Sequence, residues 1–330
     1  MTAAFDSSLY SWQRSAWLAL TRDFSKLAHA VMLTGQSGLG KELFAACLAQ
    51  SLLCRNPQTD AMPCGQCQSC QLYAAGNHPD LHHIRPLETG KAIVIDQVRA
   101  LGEFLYLRPH IAARKVVVLS PAQAMNVNAA NSLLKLLEEP PADSHLILVS
   151  SQPTKLPATI RSRCANVALR APCREEALAW LKARPDAPPQ AELLLELACG
   201  APLAALALGQ GDFIARRAQW MDDIEALSGQ GADPVGCAAR WKTAGAERGL
   251  AWLQGWVSDL IKVALDPSPL RLFNPDARAR LQALQNRLHL NRLFGFFERV
   301  SESRNLLGGP LDEQLVLEDV LIQWTRLPRT

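Results

Sequence analysis

Two spacings of apolar residues divide the chain. Up to about residue 170, short apolar runs alternate with stretches of helical period; beyond it only the helical period persists. Lys115-Val116-Val117-Val118-Leu119 and His145-Leu146-Ile147-Leu148-Val149 are nearly unbroken apolar runs, the signature of strands buried on both faces of a parallel sheet. Val31-Met32-Leu33-Thr34 is another strand candidate. Leu81-His82-His83-Ile84 and Ala92-Ile93-Val94-Ile95 are shorter pieces, the first the better strand. Helices are predicted between them. One spans Leu9 to Leu27 on the spacing of Trp12, Ala16, Trp17 and Leu20, and another spans Glu42 to Leu53, docking through Leu43, Cys47 and Leu48. Others cover Gln71 to Ala75, run from an Asp96 N-cap through Leu105, and span Asn126 to Glu139 before Pro140-Pro141. Alternation of this kind implies a parallel α/β domain over residues 1–170, with its ligand at the carboxyl ends of the strands.

After Pro172 the periods Glu175 to Ala183, Ala191 to Cys199 and Pro202 to Leu208 predict a three-helix domain over 171–211. Residues 212–330 read as an all-α domain of four or five helices, with breaks at Gly229 to Gly231, Pro267 to Pro269 and Gly308 to Pro310. Five of the eight tryptophans fall there, and Trp252, Trp256, Leu260 and Val263 share one stripe, which reads as core rather than as a cofactor box.

Composition narrows the setting. Hydrophobic residues make 48% and charged residues 20% of the chain, a soluble globular balance. No stretch reaches the roughly 18 uncharged apolar residues of a membrane span. Met1 to Tyr10 carries Asp6 and no basic segment before an apolar run, so it does not read as a signal peptide, and the cytoplasm is the expected location. A net charge of +3 is too small to imply nucleic-acid binding by itself. Nine cysteines, four of them clustered, favour metal and free thiols over a disulfide framework.

Three motifs carry candidate chemistry. Gly35-Gln36-Ser37-Gly38-Leu39-Gly40-Lys41 has the spacing of a Walker A phosphate loop, making Gly35, Gly38, Gly40 and Lys41 the candidate nucleotide-binding residues. Glu42, however, stands where a Ser or Thr hydroxyl would hold Mg²⁺. The neighbouring strand ends in Ser120-Pro121 and the other buried run in Ser150-Ser151-Gln152, so no carboxylate is placed for the metal or for water. The loop is thus equipped for phosphate but not for hydrolysis, and ATP occupancy stays open. Second, Cys54-x9-Cys64-x2-Cys67-x2-Cys70 can close tetrahedrally on one Zn²⁺ as a structural site, the alternatives being free thiols or a redox pair. His78, His82 and His83 are spare ligands. Third, Arg163 in Thr159-Ile160-Arg161-Ser162-Arg163-Cys164 is either a solvated surface residue or a guanidinium offered in trans to a neighbour's γ-phosphate.

With these residues assembled, the chain resembles the clamp-loader subunits of the AAA+ class that serve the bacterial DNA polymerase III holoenzyme, a DNA-directed DNA polymerase. The resemblance covers about the first 210 residues: His29-Ala30-Val31-Met32-Leu33, the four-cysteine insert, His78-Pro79-Asp80, Asn131-Ser132-Leu133-Leu134-Lys135, Leu137-Glu138-Glu139-Pro140-Pro141 and Ser162-Arg163-Cys164. The departures at Glu42, Ser120 and Pro121 resemble those of the family's non-hydrolysing member. So does Leu203, which stands where active relatives carry a phosphate-sensing arginine. The resemblance implies an AAA+ domain with a structural zinc insert, a helical lid and an all-α collar. It also implies a place beside gamma or tau and delta subunits in a ring that opens a sliding clamp and closes it on primer-template DNA. Arg163 would then reach into the adjacent subunit's ATP site, with Ser162 and Cys164 holding its turn. The alternatives are an active ATPase of the gamma or tau type, and, less well supported by the charge, a nucleic-acid-binding zinc protein.

Overall fold

A computed structural model describes residues 9–327 apart from 89, 230, 267, 270, 308 and 310. Residues 1–8 of the stretch read against a signal peptide lie outside the described residues. So do Gln230, Pro267, Gly308 and Pro310 among the expected helix breaks. The chain divides into two compact units at Pro172/Cys173.

The first unit is built on a parallel sheet of β1 (Ala30–Thr34), β2 (Leu81–Ile84), β3 (Lys115–Leu119), β4 (Ser144–Ser150) and β5 (Ala165–Ala168), in the order β2-β3-β4-β1-β5. The unbroken apolar runs have a direct cause. Successive side chains of a strand alternate between faces, and here both faces are covered. Val31, Leu33, Val116, Val118, Ile147 and Val149 pack with Trp17, Phe44 and Leu48 on one side. Met32, Val117, Leu119, Leu146 and Leu148 pack with Val98, Leu101, Leu133 and Leu137 on the other. The helices on these faces are α1 (Arg14–Thr21), α2 (Lys41–Leu53), α3 (Gln68–Ala74), α4 (Ile95–Tyr106), α5 (Val127–Glu138) and α6 (Ala158–Arg161). Register aligns Thr34 with Ser150 and Leu119 with Leu148, so β1 and β4 end together and β3 stops two residues earlier.

The structure differs from expectation in four places. The first helix is confined to α1, between 3-10 turns at Ser11–Gln13 and Phe24–Lys26. Of Ala92 to Ile95, Ile93 forms an isolated bridge to Met125 and Ile95 already begins α4. Asp96 is not the cap of α4. It lies in the first turn after Val94, whose N–H donates to Gln97 Oε1 at 3.1 Å. Finally, β5 was not foreseen: Ala-Asn-Val-Ala is an edge strand, mostly exposed, with no apolar run to announce it.

The second unit is helical: α7 (Arg174–Lys182), α8 (Ala191–Leu197), α9 (Pro202–Gly209), α10 (Phe213–Ser228), α11 (Pro234–Leu265), α12 (Arg278–Gln285), α13 (Leu290–Leu306) and α14 (Glu313–Thr325). It holds two hydrophobic clusters. One joins α7, α8 and α9, and the larger gathers Trp220, Trp241, Trp252, Trp256 and Trp324 with Leu260 and Val263. The tryptophan stripe is core, as its spacing required. No single helix among the described residues is long and apolar enough to cross a membrane.

Candidate functional site

The phosphate loop lies between β1 and α2, at the carboxyl edge of the sheet. Gly38 and Gly40 adopt φ of +83° and +80°, left-handed values that favour glycine, and Gly40 is the N-cap of α2. At Gly35 a side chain is excluded outright. A Cβ there would stand 2.4 Å from the carbonyl oxygen of Leu169, whose own N–H donates to Thr34 O at 2.8 Å. Lys41 turns back into the loop. Its Nζ donates to Gln36 O at 2.8 Å, its side chain is only 7% exposed, and burial lowers its pKa, an effect that the neighbouring Glu42 partly opposes.

The two departures read from sequence prove to be one contact. Ser120 Oγ donates a short hydrogen bond to Glu42 Oε1. A hydroxyl was expected after the lysine and a carboxylate at the end of β3. The chain has the two groups exchanged, and they satisfy each other across the space between loop and strand.

A further set of contacts left no mark in the sequence pattern. Gln13 is fully buried, and its Nε2 donates to Leu39 O at 2.8 Å and Gly40 O at 2.9 Å. Trp12 Nε1 donates to Leu39 O at 3.1 Å and stacks on Tyr10, ring centroids 4.7 Å apart. The turn before α1 therefore holds the far end of the phosphate loop. A polar residue amid the apolar period was the only signal, since contacts across some 26 residues leave no local trace.

The four predicted cysteines come together at the end of α2 and the start of α3. Cys54 caps α2, Cys67 caps α3, and Cys70 lies in the first turn of α3. Their Sγ atoms all lie within 4.8 Å of one another, with Cys54–Cys64 at 3.5 Å, Cys54–Cys67 at 3.9 Å and Cys64–Cys70 at 4.0 Å. Four sulfurs about 2.3 Å from a tetrahedral ion are about 3.8 Å apart, so the cluster could hold a metal ion. The backbone N–H of Cys64 donates to Cys54 Sγ and that of Cys67 to Cys64 Sγ, each at 3.4 Å. Hydrogen bonds from Gln66 and Cys67 hold the Cys64 thiol low. At Cys67 burial works upward, yet backbone N–H groups of Arg55 and Cys70 bring the thiol to about 6. Burial raises Cys54 and Cys70. Crowded sulfurs that cannot all ionise alone are those a cation would allow to.

The three histidines stay out of that cluster. His78 accepts the N–H of Asp80 at Nδ1 (3.0 Å), so its Nε2–H faces Ser69 Oγ at 2.7 Å, and the Ser69 hydroxyl donates to Leu53 O at 2.6 Å. Both ring nitrogens are thus engaged in tying α3 to the start of β2. Asp80, fully buried, accepts three backbone N–H groups from His110, Ile111 and Ala112 at 2.7–2.9 Å. Burial works against that carboxylate, but the three donors outweigh it and lower its pKa.

Arg163 lies just beyond α6. Ser162 Oγ donates to Thr159 O at 3.1 Å, and Cys164 is buried in the same hydrophobic cluster as Ile160. The Arg163 side chain is 37% exposed. Its Nη1 donates to Thr159 O at 3.0 Å and its Nη2 pairs with Glu138 Oε1 at 2.7 Å. Leu203, in the first turn of α9, is half-buried and brings no charge.

Family models match in two stretches. The model described as DNA polymerase III, delta subunit, matches residues 13–172, and the model for the C-terminal part of DNA polymerase III delta matches 211–326. DNA polymerase III subunit delta' of Pseudomonas aeruginosa is 38% identical over 327 residues, spanning 98% of this chain and 99% of that one. The chain belongs to the delta' family of DNA polymerase III subunits. The delta' protein of Escherichia coli K12 is 31% identical over 319 residues, covering 95% and 94% of the two chains. Among solved structures, a DNA polymerase III gamma subunit-related protein of Thermotoga maritima overlays with a TM-score of 0.44 at 19% identity, over 94% of this chain and 99% of that one. Membership of the delta' family bears out the resemblance carried by the Asn131 to Pro141 run and Ser162-Arg163-Cys164. The parallel sheet followed by helices is the AAA+ organisation which that resemblance implied.

Proposed function

We propose that this delta' chain is a non-hydrolysing, stator-like member of the cytoplasmic DNA polymerase III clamp loader, helping to place the sliding clamp on primer-template DNA beside gamma or tau and delta subunits. The observation that carries the reading is the Ser120–Glu42 hydrogen bond. A phosphate-loop hydrolase needs a hydroxyl on one side of Mg²⁺ and acids on the other. Here the exchanged pair closes on itself, and Lys41 is engaged by Gln36. In the same reading residues 1–170 are the AAA+ body, 171–211 a lid and 212–330 a collar. Arg163 is an arginine finger for the adjacent subunit's ATP. The cysteine cluster holds Zn²⁺ as a structural ion, without an open position for water.

The test is ATP turnover by the purified chain alone, in the presence of Mg²⁺. No turnover above background is expected. A rate near 1 s⁻¹, the low end of ordinary enzymes, would favour the alternative of an active gamma or tau type ATPase. Metal analysis of native protein should return one equivalent of zinc, and less than half an equivalent counts against the zinc assignment.

A further inference from the structure

We propose that Glu138 is the positioning residue for Arg163, an inference that rests on the finger reading above. Glu138 is the last residue of α5, where a carboxylate faces the negative end of the helix dipole. The helix dipole itself disfavours an acid there, whatever Lys135 three residues earlier offsets. Pro140 and Pro141 stop the helix immediately afterwards, so the position is fixed in space, and the Glu139 N–H is taken by Lys135 O at 3.0 Å. The compensating partner lies 25 residues on: Glu138 Oε1 meets Arg163 Nη2 at 2.7 Å, while the Thr159 carbonyl takes Nη1 at 3.0 Å.

Those two contacts bracket the guanidinium and engage two of its five N–H groups. They hold its plane in one orientation relative to α6. A pair 37% and 50% exposed is weak enough to be shared with, or exchanged for, the γ-phosphate of a nucleoside triphosphate on a neighbouring chain. Glu138 therefore narrows the orientations of Arg163 without touching the reacting atoms.

The experiment is the clamp- and DNA-stimulated ATPase of the reconstituted complex, with Glu138→Ala, Arg163→Ala and the double variant. Glu138→Ala should lower kcat threefold to fivefold at unchanged KM, the range open to an exposed pair. It should have no further effect once Arg163 is alanine. Glu138→Gln, which keeps an oxygen acceptor on the same stem, should recover at least half of the loss. Glu138→Asp, whose shorter stem withdraws the carboxylate, should reproduce the loss and covers an alanine variant that fails to assemble. If Arg163→Ala is slow while Glu138→Ala and Glu138→Asp match or exceed wild type, the positioning role is overturned and the finger stands. A Glu138→Ala loss that persists beside Arg163→Ala overturns it too, because the residue then acts through folding. An Arg163→Ala complex at the wild-type rate removes the finger and this inference together.

Discussion

Lys41 and Arg163 are the two cations that the sequence offers to a phosphate, and the structure treats them oppositely. Lys41 lies at the head of α2, 7% exposed, donating to a carbonyl of its own loop. Arg163 stands on a short turn, 37% exposed, with one carboxylate and one carbonyl beside it. The better-known motif holds the less available charge. Spacing along a chain can locate a cation near a phosphate site. Burial and the partner already made decide whether an outside anion can reach it.

The contrast can be broken most sharply at Arg163. Arg163→Ala should lower the stimulated ATPase of the reconstituted complex at least tenfold, within the large range known for arginine fingers, while circular dichroism of the chain is unchanged. Lys41→Met should leave that rate as it is. A fall comparable with that of Arg163→Ala would show that the two cations are equivalent after all. Gln13→Ala removes one of two donors from each of the Leu39 and Gly40 carbonyls, which keep Trp12 Nε1 and the Phe44 N–H, and should destabilise the first unit by about 0.5–1.5 kcal/mol, read as a lower thermal midpoint. If the midpoint holds, the loop is closed by something other than the turn before α1.

Acid gives a smaller and graded effect. Burial lowers the pKa of His78, His82, His83 and His145, so each stays neutral in the folded chain below the ordinary value of 6.5. The unfolded chain takes up those protons first, and stability falls as pH drops from 6.5 toward the depressed folded values. The thermal midpoint should therefore decline between pH 7 and pH 5.5. His78→Gln should flatten that decline; an identical slope would place the linkage on other groups. The smallest expected change is the stability of Lys41→Met itself, within about 1 kcal/mol, because a neutral stem of similar length relieves a buried charge as it gives up one hydrogen bond.

Much of the first unit was legible, and for one reason. A sheet covered on both faces requires Val116 to Leu119 and Leu146 to Val149 to be apolar without interruption, and that demand is written locally. β5 was missed because an exposed edge strand makes no such demand. The four cysteines were likewise visible, since short C-x2-C steps bring ligands together by themselves. What stayed hidden depends on contacts between distant segments. Glu42 and Ser120 read as two separate losses until their hydrogen bond made them one exchange. Gln13 lies within the predicted Leu9 to Leu27 helix, whose spacing rests on Trp12, Ala16, Trp17 and Leu20 and assigns Gln13 nothing. Glu138 was part of a family run with no assigned task, although its position at the wrong end of a helix dipole was a signal available from the sequence.

Gly35 gives the phosphate loop a meaning independent of nucleotide. The Leu169 carbonyl leaves no room for a side chain at that position, so the residue is dictated by the seating of the edge strand against β1. Such a glycine would be retained by purifying selection in a lineage that had never again met ATP. A search for the loop's spacing reports the same match whether or not the loop turns over a nucleotide. In this chain the durable half of the signature records how a strand turns into a helix, and the perishable half, the hydroxyl and the acids, records whether anything is burned there.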